Sequence, residues 1–171
     1  MYIYYMYLHI FCFYYIISGD DIVKKICCFT GHRKIHNPHE IYNKLLNTIE
    51  KIIINDNVKD FQMGNYGAFD RLVIRALNEL KLKYDIKTEL IIPYLTKEIN
   101  QNREEYYKNY NSITVADIPL STPHKLRIIK CNEYMIKNCD YLICHIQHSW
   151  GGAYKTVSFA KKQKNISIIK V

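Results

Sequence analysis

Glycine and proline are scarce in this chain: six of the first and four of the second among 171 residues. They gather into no Pro/Gly/Ser-rich stretch, so nothing reads as a flexible linker between two domains. No internal repeat is visible either. Disorder is excluded by composition, since 49% of residues are hydrophobic and 23% charged, which is ordinary globular usage. The length suits one domain with a real core. The formal charge is +8, yet no lysine run exceeds two residues. A surface of that sign favours anionic partners such as nucleotides or nucleic acid. Dispersed charge is a poor footprint for nucleic acid as the main partner.

The six cysteines, Cys12, Cys27, Cys28, Cys131, Cys139 and Cys144, include no C-x-x-C pair and no Cys/His spacing of a zinc site. Most stand in apolar contexts and read as small buried residues in a reducing, cytoplasmic setting. Adjacent Cys27 and Cys28 on one strand would face opposite sides of a sheet.

Residues 1–19, MYIYYMYLHIFCFYYIISG, lack Asp, Glu, Lys and Arg. A signal peptide normally opens on positive charge. A membrane anchor would use Lys24 and Lys25 as flanking charges, but six tyrosines suit an interface better than a hydrocarbon centre. Residues 1–20 are therefore read as an apolar extension, an upstream piece or a start-site artefact, in preference to an anchor.

From Lys25 strand-like and helix-like segments alternate: KICCFT, then PHEIYNKLLNTIEKIIIN with Asn37 as cap and Pro38 in the first turn; KDFQMG, then FDRLVIRALNELKLKY; KTELIIPYL and SITVAD, then HKLRIIKCNEYMIKNC; DYLICHIQ, then GGAYKTVSFAKKQK; and a last strand, NISIIKV. NREEYYKNY reads as a short helix or loop, and periodicity is poorest from Thr96 to Thr122. This order implies an α/β fold, a Rossmann-like three-layer sandwich with a mostly parallel sheet, over residues 21–171. Continuous apolar runs such as YLICHI and ISIIKV fit strands covered on both faces.

Strand-to-helix loops of a parallel sheet open on one edge, where ligands bind. Three such loops carry unusual residues. In TGHRK, Thr30 ends the strand, Gly31 permits a tight turn or close approach, and His32 and Arg33 can donate to an anion; the alternative is a solvated surface turn. In MGNYGAFD, Gly64 and Gly67 bracket Asn65 before a helix and can present backbone N–H groups to a phosphate. Asp70 can accept from ribose hydroxyls or simply complement the helix dipole. In HSWGGAYKT, Gly151 and Gly152 open a helix after a buried strand, with the amides of Ala153 and Tyr154 expected to point outward. Trp150 and Tyr154 can stack on a base or pack as a lid. Ser149 is an N-cap or a phosphate contact. Asn132 shares a helical stripe with Ile128, Met135, Ile136 and Cys139, and is read first as a buried amide satisfied by its neighbours, second as a ligand contact.

CCFTGHRK, FQMGNYGAFDRLVIRAL, IIKCNEYMIKNCDYLI and HSWGGAYKTVSFAKKQKN, in that order, resemble the SLOG superfamily, and within it the YpsA-like domains of unknown function. That superfamily also holds the LOG phosphoribohydrolases and the DNA-processing protein DprA. The resemblance runs from about Lys25 to the end. It implies a Rossmann-like cleft for nucleotides, nucleotide sugars or nucleic acid, contacted by Gly31, His32, Arg33, Gly64, Gly67, Asp70, Gly151, Gly152 and Tyr154. The LOG enzymes carry P-G-G-x-G-T-x-x-E, whose Glu serves N-glycosidic hydrolysis. Here SWGGAYKTVSF has Trp150 in place of the Pro and no acid in the Glu register. An oxocarbenium-like transition state wants a carboxylate nearby, and Asp70 is the one candidate.

No P-loop, dinucleotide G-x-G-x-x-G or G-x-S-x-G elbow is present. His32, His36 and His39 lack a Cys or acid cluster to complete a metal site. The sequence thus points to a nucleotide or nucleotide-derivative binding domain, a sensor rather than a confident catalyst, with no cofactor or metal assigned. The alternatives are an N-glycosidase or transferase acting on nucleoside phosphates, and a single-stranded nucleic-acid binder. A homo-oligomer is left open, and a membrane partner only if the extension is real.

Overall fold

The computed structural model describes residues 24–171. The extension expected over residues 1–20, with Cys12, lies outside them. Among the described residues no helix is long and apolar enough to cross a membrane.

Six strands form one sheet: β1 (Ile26–Gly31), β2 (Asp60–Met63), β3 (Lys87–Ile92), β4 (Ser112–Val115), β5 (Tyr141–His145) and β6 (Ser167–Lys170), in the order β4-β3-β2-β1-β5-β6. Every pairing is parallel, so the mostly parallel sheet read from the sequence is parallel throughout. The alternation of the sequence becomes α1 (Pro38–Asp56), α2 (Ala68–Leu80), α3 (Lys97–Gln101), α4 (Arg103–Tyr107), α5 (His124–Lys137) and α6 (Gly151–Ala160).

The two faces have separate cores. Cys27, Phe29, Phe61, Met63, Leu90 and Ile92 pack under α1 and α2. Cys28, Ile91, Leu142 and Cys144 pack under α5 and α6. Cys27 and Cys28 do face opposite sides, because successive side chains of a strand alternate. The five described cysteines are buried and unbonded to one another, and burial pushes the Cys27 and Cys28 thiols up, away from reactive thiolate. The expectation for β6 needs correction: Ile168 and Ile169 are only half-buried, because β6 is an edge strand with one neighbour.

Local sequence explains the helix ends. Pro38 occupies the first turn of α1, where its missing N–H would have no intrahelical acceptor. Asn37 stands at the cap position but does not cap with its side chain. Its backbone is left-handed, φ 55°, whereas a side-chain cap needs extended backbone. The region from Thr96 to Thr122 had poor periodicity because its two helices have five residues each and β4 only four.

The order reverses at β1. Strands β2, β3 and β4 build out on one side, β5 and β6 on the other, with helices on opposite faces. The loops leaving β1 and β5 therefore part and leave a crevice at the carboxyl ends of the strands, where Gly31 pairs with His145. Gly31 is required there for packing. A Cβ added to it would fall 2.6 Å from Phe69 Cβ, inside the ring's own helix. Gly31→Ala is expected to lower stability by about 1–3 kcal/mol as an overpacking substitution, read as a fall in the urea midpoint with unchanged slope.

Candidate functional site

The crevice is a cleft of about 450 Å³. Twelve of the residues expected from the sequence line it: Thr30, Gly31, His32, Arg33, Gly64, Gly67, Asp70, Asn132, Trp150, Gly151, Gly152 and Ala153. The three loops thus meet on one lip, as the parallel sheet requires. Asn65, Ser149 and Tyr154 do not line it. Asn65 turns its amide to Tyr106 Oη, 3.4 Å away, which in turn donates to Glu98. Ser149 is exposed, and the N-cap position of α6 belongs to Trp150 instead. Tyr154 lies one turn further along α6, outside the lining.

The β2–α2 loop spends its amides internally. Asp70 Oδ2 accepts from Tyr66 N at 2.7 Å and Gly67 N at 3.0 Å. Ala68 N donates to the Arg33 carbonyl at 3.1 Å. A Cβ on Gly67 would come within 3.0 Å of Arg33 Cα, so this glycine lets the first two loops cross in contact. The amides of Tyr66, Gly67 and Ala68 are therefore occupied, while those of Phe69 and Asp70 in the first turn of α2 have no acceptor among the described residues. Burial pushes the Asp70 carboxyl up, against the lowering effect of its two amide donors and of Arg71 and Arg33.

The opening of α6 is different. Its cap residue, Trp150, supplies no side-chain acceptor. Among the described residues the amides of Gly151, Gly152 and Ala153 have no hydrogen-bond acceptor, as expected of a first turn without a cap. An Asp, Ser or Asn at this position would add about 0.5–2 kcal/mol to stability; tryptophan forgoes it. Gly151 has φ +88°, a conformation that side chains resist. Gly152 has no such need: a Cβ there would meet nothing within 4 Å and would project into open space. Arg33 and Lys34, both exposed on the facing loop, form no ion pair among the described residues. Three free amides and two free cations thus border a cleft holding one carboxylate, an arrangement suited to an anion.

Asn132 takes its structural role: Nδ2 donates to Thr156 Oγ1 at 3.1 Å, and Thr156 Oγ1 donates to the Gly152 carbonyl at 3.0 Å. This chain fixes the first turn of α6 against α5. Lys34, Tyr66, Ile128, Met135 and His148 line the cleft without having been singled out from the sequence as contacts. Burial pushes the Tyr66 phenol up, so it stays a neutral donor.

His148 is the most informative of these. Its ring stacks on His32 with centroids 3.7 Å apart and on Trp150 at 3.8 Å. Its Nδ1–H donates to the Trp150 carbonyl at 3.1 Å, and its backbone N–H donates to His32 Nε2 at 3.4 Å. His32 must be unprotonated at Nε2 to accept that bond. Burial, then the positive charge that His148 and His145 would carry, lower the His32 pKa below 6.5.

No protein-family model matches this chain, and no curated protein sequence matches it. Among solved structures the chain is similar to DNA processing protein A (DprA) from Streptococcus pneumoniae, with a TM-score of 0.58 and 14% identity over 87% of this chain. The chain spans 50% of that protein's length. A likeness at that identity carries the α/β Rossmann-like fold alone.

The residues of the cleft separate by substitution. Gly152→Ala should leave stability unchanged or raise it by up to about 1 kcal/mol, since a glycine in a helix is the looser residue. Asp70→Ala should lose about 1–3 kcal/mol by leaving two amides without an acceptor. Both are measured by chemical denaturation. For pH, the unfolded chain protonates His32 near 6.5 while the folded chain resists. The unfolded state then binds more protons, so stability falls as pH drops through about 6.5. The melting temperature should decline from about pH 7 to about pH 5.5, and less steeply in His32→Asn.

Proposed function

We propose that this chain is a binding domain for a phosphate-bearing nucleotide or nucleotide derivative, held in the cleft between the β1–α1, β2–α2 and β5–α6 loops. The observation that carries the reading is the uncapped first turn of α6, whose Gly151, Gly152 and Ala153 line a cleft together with Arg33 and Lys34. A phosphate group there would accept from the amides and from the Arg33 guanidinium. Gly152 supports the reading, because its missing side chain leaves space that folding does not require. The four motifs support the finer assignment to the SLOG superfamily, YpsA-like branch, as the setting for such a site.

Hydrolysis at an N-glycosidic bond fits less well. Asp70, the one carboxylate lining the cleft among the described residues, has one oxygen committed to two amides of its own loop. Nucleic acid is the second reading, favoured by the exposed Arg33, Lys34, Trp150, Tyr154 and Lys155 and by the fold shared with a DNA-processing protein. Its mark would be affinity that falls steeply with salt.

Thermal melting against nucleoside monophosphates, ADP-ribose, NAD and cyclic nucleotides tests the proposal. A ligand at one hundred times its dissociation constant adds about 2.7 kcal/mol, a clear rise in melting temperature. Arg33→Ala should abolish the rise without changing the melting temperature of the free protein. A panel with no shift at all would contradict the proposal.

A further inference from the structure

Trp150 is the only tryptophan of the chain, and folding gives no account of its position. The residue is 69% exposed. It stands where a small polar residue would cap α6, and it caps nothing. What it does is complete a column of rings. His32, 7% exposed, forms the floor; His148 lies on it; Trp150 lies on His148 with the two planes 14° apart. The column is held by hydrogen bonds at two levels: His148 N–H to His32 Nε2, and His148 Nδ1–H to the Trp150 carbonyl. The indole is therefore braced on one face by His148, and the residue, largely exposed, lines the cleft.

A braced, exposed indole beside an anion-accepting helix opening is a place for a flat aromatic group joined to a phosphate. Each nucleobase has a π-face, and stacking on an aromatic side chain is a recurrent source of base affinity. The overlap grows with ring area, which favours a two-ring base on a two-ring indole. The cleft, at about 450 Å³, lies toward the small end of the roughly 300–1,000 Å³ usual for ligand sites. That size suits one nucleotide better than a dinucleotide.

We propose that the ligand of this cleft is a purine nucleoside monophosphate whose base stacks on the face of Trp150 opposite His148 as the fourth ring of the His32–His148–Trp150 column. The inference rests on the phosphate reading of the α6 opening and adds to it the class of ligand and the residue that selects it. Trp150 is then a specificity residue: it distinguishes a nucleotide from a sugar phosphate of the same charge.

Because Trp150 is the sole tryptophan, the unlabelled protein reports on itself. AMP, GMP, UMP and ribose 5-phosphate are titrated while tryptophan emission and melting temperature are followed. AMP and GMP should bind more tightly than UMP and change the emission saturably, and ribose 5-phosphate should raise the melting temperature without changing emission. Trp150→Ala should weaken AMP by about five- to a hundred-fold, the range for loss of one base stack. It should leave ribose 5-phosphate unaffected, and Trp150→Phe should recover most of the AMP affinity. If AMP binds with unchanged emission and equal affinity in Trp150→Ala, the stacking inference is overturned and the phosphate site stands. A loss in Trp150→Ala that falls equally on ribose 5-phosphate also overturns it, since the indole would then be shaping the loop. Should no phosphate compound bind the native protein, the phosphate site itself is refuted and this inference goes with it.

Discussion

The reversal of strand order at β1 is the constraint from which the rest of the molecule follows. Strands β1 to β4 build outward with α1 and α2 on one face, while β5 and β6 return on the other side with α5 and α6 on the opposite face. The loops that leave β1 and β5 must diverge, although the strands themselves are hydrogen-bonded up to Gly31 and His145. A crevice is the geometric consequence. Beside it α2 presses on the end of β1, a contact that only glycine at position 31 permits.

The glycines around that crevice have unlike causes. Gly31 and Gly67 are present because Phe69 and the Arg33 backbone occupy the space of a side chain. Gly151 is present because its φ is positive. Gly152 answers to neither cause. The amides divide in the same way. At the start of α2 the amides of Tyr66 and Gly67 are taken by Asp70 and that of Ala68 by the Arg33 carbonyl, while at the start of α6 those of Gly151, Gly152 and Ala153 have no acceptor among the described residues. The positive end of the α6 dipole and Arg33 and Lys34, which form no ion pair among the described residues, then act on the same small volume.

Much of the scaffold was legible in the sequence because its signals are local. The apolar runs of β3 and β5 and the stripe Phe69, Leu72, Val73, Ala76, Leu77 and Leu80 along α2 are visible without any neighbour, and all of the stripe but the half-buried Leu72 is buried. The meeting of the three glycine loops followed from the parallel order. Long-range relations were illegible. His32 and His148 stand 116 positions apart, and nothing in either segment announces that their rings touch. The loop of Asn65 points to the cleft, but its side chain follows Tyr106. Tyr154 belongs to a cleft loop too, though it stands one helical turn beyond the cap. The position of Asp70 suggests a dipole effect; its bonds to two amides of the preceding loop depend on a turn that spacing alone does not define.

The central claim is that the amides of Gly151, Gly152 and Ala153 are open to an anion while those of Tyr66 and Gly67 are not. Titration of AMP into isotopically labelled protein, followed by amide proton and nitrogen chemical shifts, tests it directly. The account requires the largest downfield shifts at Gly151, Gly152 and Ala153, with Tyr66 and Gly67 moving little. Dominant shifts at Tyr66 and Gly67, or a response spread over surface lysines with α6 unmoved, would contradict it.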